Sequence, residues 1–454
     1  MGEPIQTRVY YAIDVELVSP LSVSSGKNEI TDADVLVNGA GEFFVPGTSL
    51  AGAMRNYLET AKNEKSVFGY SKGNEGKMSS LFISDLYFTA QGEEQPAAIS
   101  SIRDNVELTD EKTVNEKFDR EIVESGARGI LYINYLVRQG ESEQDYENII
   151  HTILRAFESG EIRIGSKKNR GFGRIEIKNI YTRKFAYSNS GSERKPFNLE
   201  SWIDFKKEFK NLNNYEKRED FKNRLDEFEP EVRKYIALKV PLKLTGGISV
   251  RRYFANTKKN TEKKQKRKVD FEQICGDHGA VVPGSSWNGA IRADIQAIFR
   301  ELGVEEQHQQ TLMHDWFGMV DKKHKTAKQS CIVIGESVIE GGEKILVTRN
   351  RINRLDASTK DKALYSEIAY FGGKTALEIL VRKDEERSYK ALLGMITLVI
   401  QDIQDGYLAI GGQTGIGRGI FAADEEKTIE CSEGGSFEEC RKVWRQELYN
   451  LLKS

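Results

Sequence analysis

VPGTSLAGAMR, Val45 to Arg55, returns later in the chain as VPGSSWNGAIR, Val282 to Arg292, with Pro, Gly, Ser, Gly, Ala and Arg at identical offsets. A repeat of this kind decides the architecture before any single motif does, because each copy is one structural unit with its own hydrophobic face. Working outward, Arg103, Glu121 and Gly126 return as Arg349, Glu367 and Gly372, with gaps of 18 and 5 residues in both copies. Asp110 and Thr113 match Asp356 and Thr359 in the same register. IGSKKNRGFGR (Ile164 to Arg174) corresponds to IGGQTGIGR (Ile410 to Arg418), and the opening segments YAIDVELVSPLSV and YIALKVPLKLTGGISV correspond as well. Four blocks in one order imply a domain duplicated in tandem.

A chain of 454 residues exceeds what one hydrophobic core usually serves, which agrees with the duplication. The reading places a first domain at 1–186, a charged helical linker at 187–234 and a second domain at 235–454, the last carrying a basic insertion at 256–268. In the linker, Trp202, Phe205, Phe209, Phe221, Leu225 and Phe228 fall among charges at roughly helical spacing, and a short solvated connector is expected. Hydrophobic residues at 39% and charged residues at 30% describe a soluble globular protein. The start, MGEPIQTRVYYAIDVEL, has no basic region followed by an apolar run, and no stretch approaches the roughly 18 apolar residues of a membrane span, so a cytoplasmic protein is expected. Cys275, Cys331, Cys431 and Cys440 form no CxxC pair, which supports neither a zinc site nor a disulfide framework. The net charge of −2 argues against wholesale electrostatic binding of nucleic acid and leaves room for a local basic patch or groove.

Within each copy the pattern runs strand, irregular loop, helix, several strands, and a glycine-rich turn with a final strand, an α+β arrangement. Thr48 or Ser49 is placed to cap the first helix, Gly52 and Ala53 would allow close approach to a sheet or an RNA backbone, and Arg55 and Arg292 lie about two turns in. Free amides at such a helix start suit a phosphate. The turns RGFGR and TGIGR are too short and wrongly placed for a dinucleotide fingerprint or a Walker loop. With Lys167, Lys168, Arg170, Arg174 and Arg418 around them, they suit close approach to a single-stranded RNA backbone; the alternative is a tight β-turn with surface bases.

A (V/I)PG-(S/T)-S-x-x-G-A-x-R element, an R…E…G block and a late GxGR turn, all present twice and in order, resemble the RAMP superfamily of CRISPR-associated proteins. Within it the chain is most similar to the repeated backbone subunit of type III effector complexes, and two fused units resemble the double-domain backbone protein of type III-D. The resemblance implies two tandem RNA-recognition-like (ferredoxin-like) RAMP domains, each with an inserted thumb-like hairpin, placed by position at Arg103 to Gly126 and at Arg349 to Gly373. It also implies guide crRNA, target RNA and other effector subunits as partners, with Ser49, Ser286, Arg55, Arg292, Arg103 and Arg349 among the RNA contacts.

In family members that cut target RNA, an aspartate precedes the PG-S-S helix and a divalent metal such as Mg²⁺ is required. Asp32 and Asp270 stand 14 and 13 residues before the two prolines, each followed two positions later by an acidic residue, Asp34 or Glu272. They are the expected catalytic and metal-binding residues. Lys27 in copy one and Arg251 and Arg252 in copy two are the cations expected to meet charge developing on phosphorus. Asn256 to Lys268 holds seven basic residues and one acidic residue, and is expected either to grip the target strand or to remain a solvated loop. Two rivals remain open. Guide-precursor processing would draw on His151, His278, His308, His314 or His324, and a purely structural scaffold would leave both aspartates incidental.

Overall fold

The computed structural model describes residues 4–24, 34–59, 61, 64–73, 75–88, 100–108, 114–190, 193–196, 199–230, 232–252, 269–276, 279–321, 324–355, 358–359 and 364–453, with backbone alone at 103–108, 114–119, 188–190, 193–196, 199 and 252. The chain divides into two compact units. The first comprises Met1–Asn105, Phe118–Lys168 and Phe172–Lys234, and the second Val106–Lys117, Asn169–Gly171 and Tyr235–Ser454.

In the first unit, strand β1 (Ile5–Leu17) turns Val9, Tyr11, Ile13, Val15 and Leu17 to one buried face at the period of two of a strand, and Tyr10 and Ala12 to the other. Helix α1 (Gly47–Tyr57) follows, then the short strands β2 (Leu81–Ile83) and β3 (Leu86–Phe88), the paired strands β4 (Ser100–Leu108) and β5 (Val114–Val123), whose residues 106–108 and 114–117 belong to the second unit, strand β6 (Arg128–Arg138), helix α2 (Glu143–Glu158) and strand β7 (Ile175–Ser190). The central strands lie in the order β7-β1-β6-β2, every neighbour antiparallel. Helices α1 and α2 cover one face through Leu50, Met54, Ile149, Ile153 and Phe157, at the four-residue spacing of a buried helical stripe.

The linker segment is where the structure departs most from a solvated spacer. Helix α3 (Leu199–Lys207) and the residues after it lay Phe205 and Tyr215 on the other face of the sheet, against Tyr10, Ala12 and Phe185. Helix α4 (Phe221–Glu227) sends Phe221 and Leu225 into the first core. The reason is on the sheet: its outward side carries Tyr10 and Phe185, whose exposure would be costly, and the linker's aromatic residues remove that surface from water.

The second unit repeats the plan. Strand β8 (Tyr235–Thr245), the short strand β9 (Phe271–Gln273), helix α5 (Gly284–Glu301), strand β10 (Ile332–Ile334), paired strands β11 (Glu343–Arg349) and β12 (Tyr365–Phe371), strand β13 (Lys374–Arg382), helix α6 (Tyr389–Gln404) and strand β14 (Ile420–Ala423) follow in sequence. Its main sheet runs β14-β8-β13-β10, again antiparallel throughout. A C-terminal helix α7 (Phe437–Lys453) closes over α6, with Trp444 buried and its main chain so near Gly394 that a Cβ there would lie 2.3 Å from the Trp444 carbonyl oxygen. No helix among the described residues is long and apolar enough to cross a membrane.

The repeated PG element turns out to be a packing device. A Cβ on Gly47 would sit 2.6 Å from the Ile83 carbonyl oxygen, and one on Gly284 would sit 2.4 Å from that of Ile334, so the ends of β2 and of β10 cross the helix starts where only glycine fits. Gly52 and Gly289 instead face open space. Thr48 and Ser49 are exposed and make no cap; the cap residue is Pro46, and the Gly47 amide donates to Asp85 Oδ1 at 2.7 Å. A carboxylate from 38 residues away therefore holds the amide that was expected to be free for a phosphate.

Candidate nucleic-acid interface

The glycine-rich turns of the two copies match in a register that their motifs hide. Lys167 and Gln413 both adopt a left-handed backbone (φ 56° and 61°), as do Gly171 and Gly417 (88° and 80°) and Gly173 and Gly419 (74° and 73°). A Cβ on Gly173 would lie 1.8 Å from the Ile164 carbonyl oxygen, and one on Gly419 the same 1.8 Å from that of Ile410. The turns thus align without a gap: Phe172 stands at the place of Arg418, and Arg174 at that of Ile420. Matching GFGR with GIGR shifts the comparison by two residues.

In copy two this turn borders an open cavity of about 450 Å³. Gln413, Gly415 and Ile416 form one side, and Arg251, Phe271, Arg349 and Tyr365 the other. The Arg251 guanidinium lies 4.0 Å from the centre of the Phe271 ring, and Phe271 stacks with Tyr365 at 6.3 Å. Among the described residues, Arg251 Nε and Gln413 Oε1 are buried without a hydrogen-bond partner. Buried polar atoms left unpaired cost free energy, and their gathering around one cavity lined by cations and rings is the chemistry of a site that expects a polar, partly planar ligand.

Behind the cavity is a buried ion-pair network. Glu367 is fully buried; its Oε1 accepts from Arg418 at 3.2 Å and lies 3.9 Å from Arg349. Arg418 is itself buried and sits over the Phe371 ring at 4.4 Å. Glu367 thereby orients Arg349 toward the cavity while Arg418 is consumed inside the fold. The expectation that Arg418 meets RNA directly gives way to a supporting role, because its charge is already met by Glu367.

Asp270 lies at the rim. It is exposed, one residue before Phe271; its amide donates to the Ser366 carbonyl at 3.0 Å, and its Oδ2 accepts from the Ser366 amide at 2.8 Å. The other carboxylate oxygen has no partner among the described residues. Those residues contain no group of three or more His, Cys, Asp or Glu side chains able to hold a metal ion. One exposed carboxylate beside bound phosphates still fits Mg²⁺, which is commonly held by one or two carboxylates together with substrate oxygens.

The remaining expected residues scatter. Asp32 and Lys27 lie outside the described residues, as does the insertion at 256–268; the side chains of Arg103 and Arg252 are likewise outside them. Arg55 is exposed and donates to the buried Glu64 at 2.7 Å and to the Gly69 carbonyl at 3.0 Å, which braces α1. Arg292 is exposed, 5.8 Å from the Phe317 ring centre, and Ser286 and Ser49 begin the repeated helices with their amides on Pro283 and Pro46. In copy one, Lys168 is half-buried and its pKa is lowered by desolvation, Lys167 and Arg170 occupy the turn, and the Arg174 amide donates to Ser19 Oγ. His151 has its pKa lowered by burial and meets the Phe228 ring edge-on, while His324 Nδ1 is 2.6 Å from Asp321. Phe271, Tyr365 and Gln413 were not singled out by motif. Only the position of Tyr365, two residues before the repeated glutamate, offered a signal.

No curated protein matches the chain. A model of the RAMP superfamily matches residues 14–176 and, separately, 276–422, together more than half of the sequence and once in each copy. The first match runs from the end of β1 to the start of β7 and the second from α5 into β14, leaving β8 and β9 outside it, and the chain therefore belongs to the RAMP superfamily, as a CRISPR-associated protein in which the family's domain is duplicated in tandem.

Proposed function

We propose that the chain is a backbone subunit of a type III RNA-guided effector complex, that it binds guide crRNA, and that it cuts complementary target RNA at Asp32 and Asp270 with a divalent metal. The observation that carries the RNA-binding part is the copy-two cavity, where Arg251 and Arg349 are held beside stacked Phe271 and Tyr365 with unpaired polar atoms turned on one space. Arginine for phosphate and rings for bases are what single strands require. The strand order, first strand between fourth and third with the second at the edge and a helix after strands one and three, supports a ferredoxin-like domain in each copy. The pairing of β4 with β5 and of β11 with β12 supports reading the two segments as thumb-like hairpins.

Equivalence of the two aspartates has its own support. Ser22 accepts from the Ser166 amide and Ser249 from the Gly412 amide, both at 2.8 Å, which aligns Ser24 with Arg251. Ser24 bridges to Val35 and Arg251 to Gln273. Asp32 and Asp270 each come three residues before the bridged partner.

For cleavage, RNA brings its own nucleophile. The 2′-oxygen attacks the adjacent phosphorus, the bond to the 5′-oxygen breaks, and a 2′,3′-cyclic phosphate and a 5′-hydroxyl result. The aspartate accepts the 2′-hydroxyl proton, water returns one to the leaving oxygen, and Arg251 is near enough to Asp270's strand to meet the charge on phosphorus. A bound Mg²⁺ would add Lewis-acid stabilisation of the phosphoryl oxygens. One observation favours a pure scaffold: the bond from the Ser366 amide gives Asp270 a structural role that needs no chemistry.

Replacing Arg251 with alanine in the full chain tests the RNA-binding reading. Affinity for a single-stranded RNA, measured by fluorescence anisotropy at several salt concentrations, is expected to fall, with the slope of log K against log salt reduced by roughly 0.7 for one lost phosphate contact. Affinity and slope equal to the wild type would remove the cavity from the interface. Replacing Lys258, Lys259, Lys263, Lys264, Lys266, Arg267 and Lys268 with serine or glutamine is a separate prediction: target binding weakens and its salt slope flattens by roughly 0.7 per lost contact, while guide binding changes less. An unchanged slope would leave the insertion a solvated loop.

A further inference from the structure

The outward face of the first unit's sheet differs in chemistry from its counterpart in the second. Through the strand registers, Phe82, Tyr87 and Tyr132 of copy one align with Val333, Val338 and Glu378 of copy two, and Phe44 aligns with Val281. Phe44 and Tyr87 are stacked at 5.4 Å with 21° between their planes. Tyr132 meets Phe209, just beyond α3, edge-on at 5.6 Å. The linker covers one part of this face and stops short of the rest, so Phe82 remains 43% exposed and Phe209 37%.

Phe82, Tyr132 and Phe209 line a cavity of about 280 Å³ that also reaches Asn134 on β6 and Lys206 on α3. Among the described residues, neither the Asn134 amide nor the Lys206 ammonium has a hydrogen-bond or ion-pair partner. Flat ring walls, an amide able both to donate and to accept, and an uncompensated cation at the rim correspond to the three parts of a nucleotide: the base faces, the base edge and the phosphate. A proline-rich peptide would use the rings and would leave the ammonium without a counter-charge.

We propose that this cavity takes one base of a single-stranded RNA, stacked against Phe82 and Phe209, with Asn134 on its edge and Lys206 on the adjoining phosphate. The contact is separate from the copy-two cavity and rests on the RNA-binding reading only for the identity of the polymer. Among the described residues it occurs in copy one and not in copy two, which has valines and a glutamate in place of the rings.

Phe82→Ala, Phe209→Ala and Asn134→Ala in the full chain test it, with Arg251→Ala as the comparison. Phe82 and Phe209 are partly exposed, so their variants are expected to fold, which circular dichroism checks. With a uridine oligomer carrying a fluorophore, each ring variant is expected to lose on the order of ten-fold in affinity, the effect of removing one stacking partner, with its salt slope unchanged. Lys206→Gln should instead lower the slope, by roughly 0.7. If all four pocket variants bind as the wild type while Arg251→Ala binds less, the proposal is overturned and the RNA-binding reading stands. If the wild type binds no RNA, both fail. Capture of a proline-rich peptide by this cavity, with RNA affinity indifferent to Phe82 and Phe209, also overturns it.

Discussion

Asp32→Asn and Asp270→Asn, each introduced into the assembled complex with guide and target RNA, are expected to remove one set of cuts apiece and to leave the other set in place. A carboxylate that accepts the nucleophile's proton contributes typically 10²- to 10⁴-fold, so the affected cut should slow by about that factor. Target affinity should change little, because the group acts on the transition state more than on the bound strand. Asparagine is the better replacement at position 270. The Asp270 Oδ2 accepts the Ser366 amide at 2.8 Å, and an amide oxygen can keep that bond where alanine would leave the strand start without it. A cut lost in Asp270→Ala and retained in Asp270→Asn would therefore assign the residue to structure. Cuts that persist at normal rates in both asparagine variants would leave the chain as an RNA-binding scaffold.

Glu367→Ala is expected to be the most damaging single change to the second unit. Glu367 is fully buried, and its removal leaves Arg418, also buried, without a counter-charge and Arg349 without its anchor. Breaking one side of a buried pair typically costs about 3–5 kcal/mol, a large part of the stability of a domain. Urea unfolding of the full chain should show the second unit's transition at clearly lower denaturant, with the first unit unaffected. The paired replacement Glu367→Leu with Arg418→Met removes both charges together, and should recover most of the loss because neither ion is left stranded. If the single variant unfolds like the wild type, the network is not what holds the glycine-rich turn behind the cavity.

The duplicated architecture was legible because it is written in residues with strict backbone needs. Gly47 and Gly284 must be glycine where β2 and β10 cross the helix starts, and Gly173 and Gly419 must be glycine against a carbonyl oxygen. Such positions keep their identity and spacing in both copies. Glu367 was visible for a similar reason, as a charge with a fixed place in the fold. What escaped depends on contacts between residues far apart in sequence. Asp85 reaches the Gly47 amide across 38 positions, and no local pattern announces it. The linker's charges suggested a solvated segment, while its burial is set by the aromatic face of a sheet built from other segments. The two-residue shift in the glycine-rich turn arose because GFGR and GIGR look alike, whereas the backbone aligns by where left-handed residues fall. Arg418 read as a surface cation for the same reason. Phe271 and Tyr365 form a wall only because β9 runs parallel beside β12, a pairing that periodicity does not reveal.

The most direct test of the RNA interface is photo-crosslinking of the full chain to a single-stranded RNA containing 4-thiouridine, with the modified peptides identified by mass spectrometry. Crosslinks on the peptides carrying Phe271 and Tyr365, lost when Arg251 and Arg349 are replaced with alanine, are the predicted result. Crosslinks that avoid both peptides, or that persist at the same sites and yields in the double variant, would contradict the assignment of the copy-two cavity as an RNA-binding site.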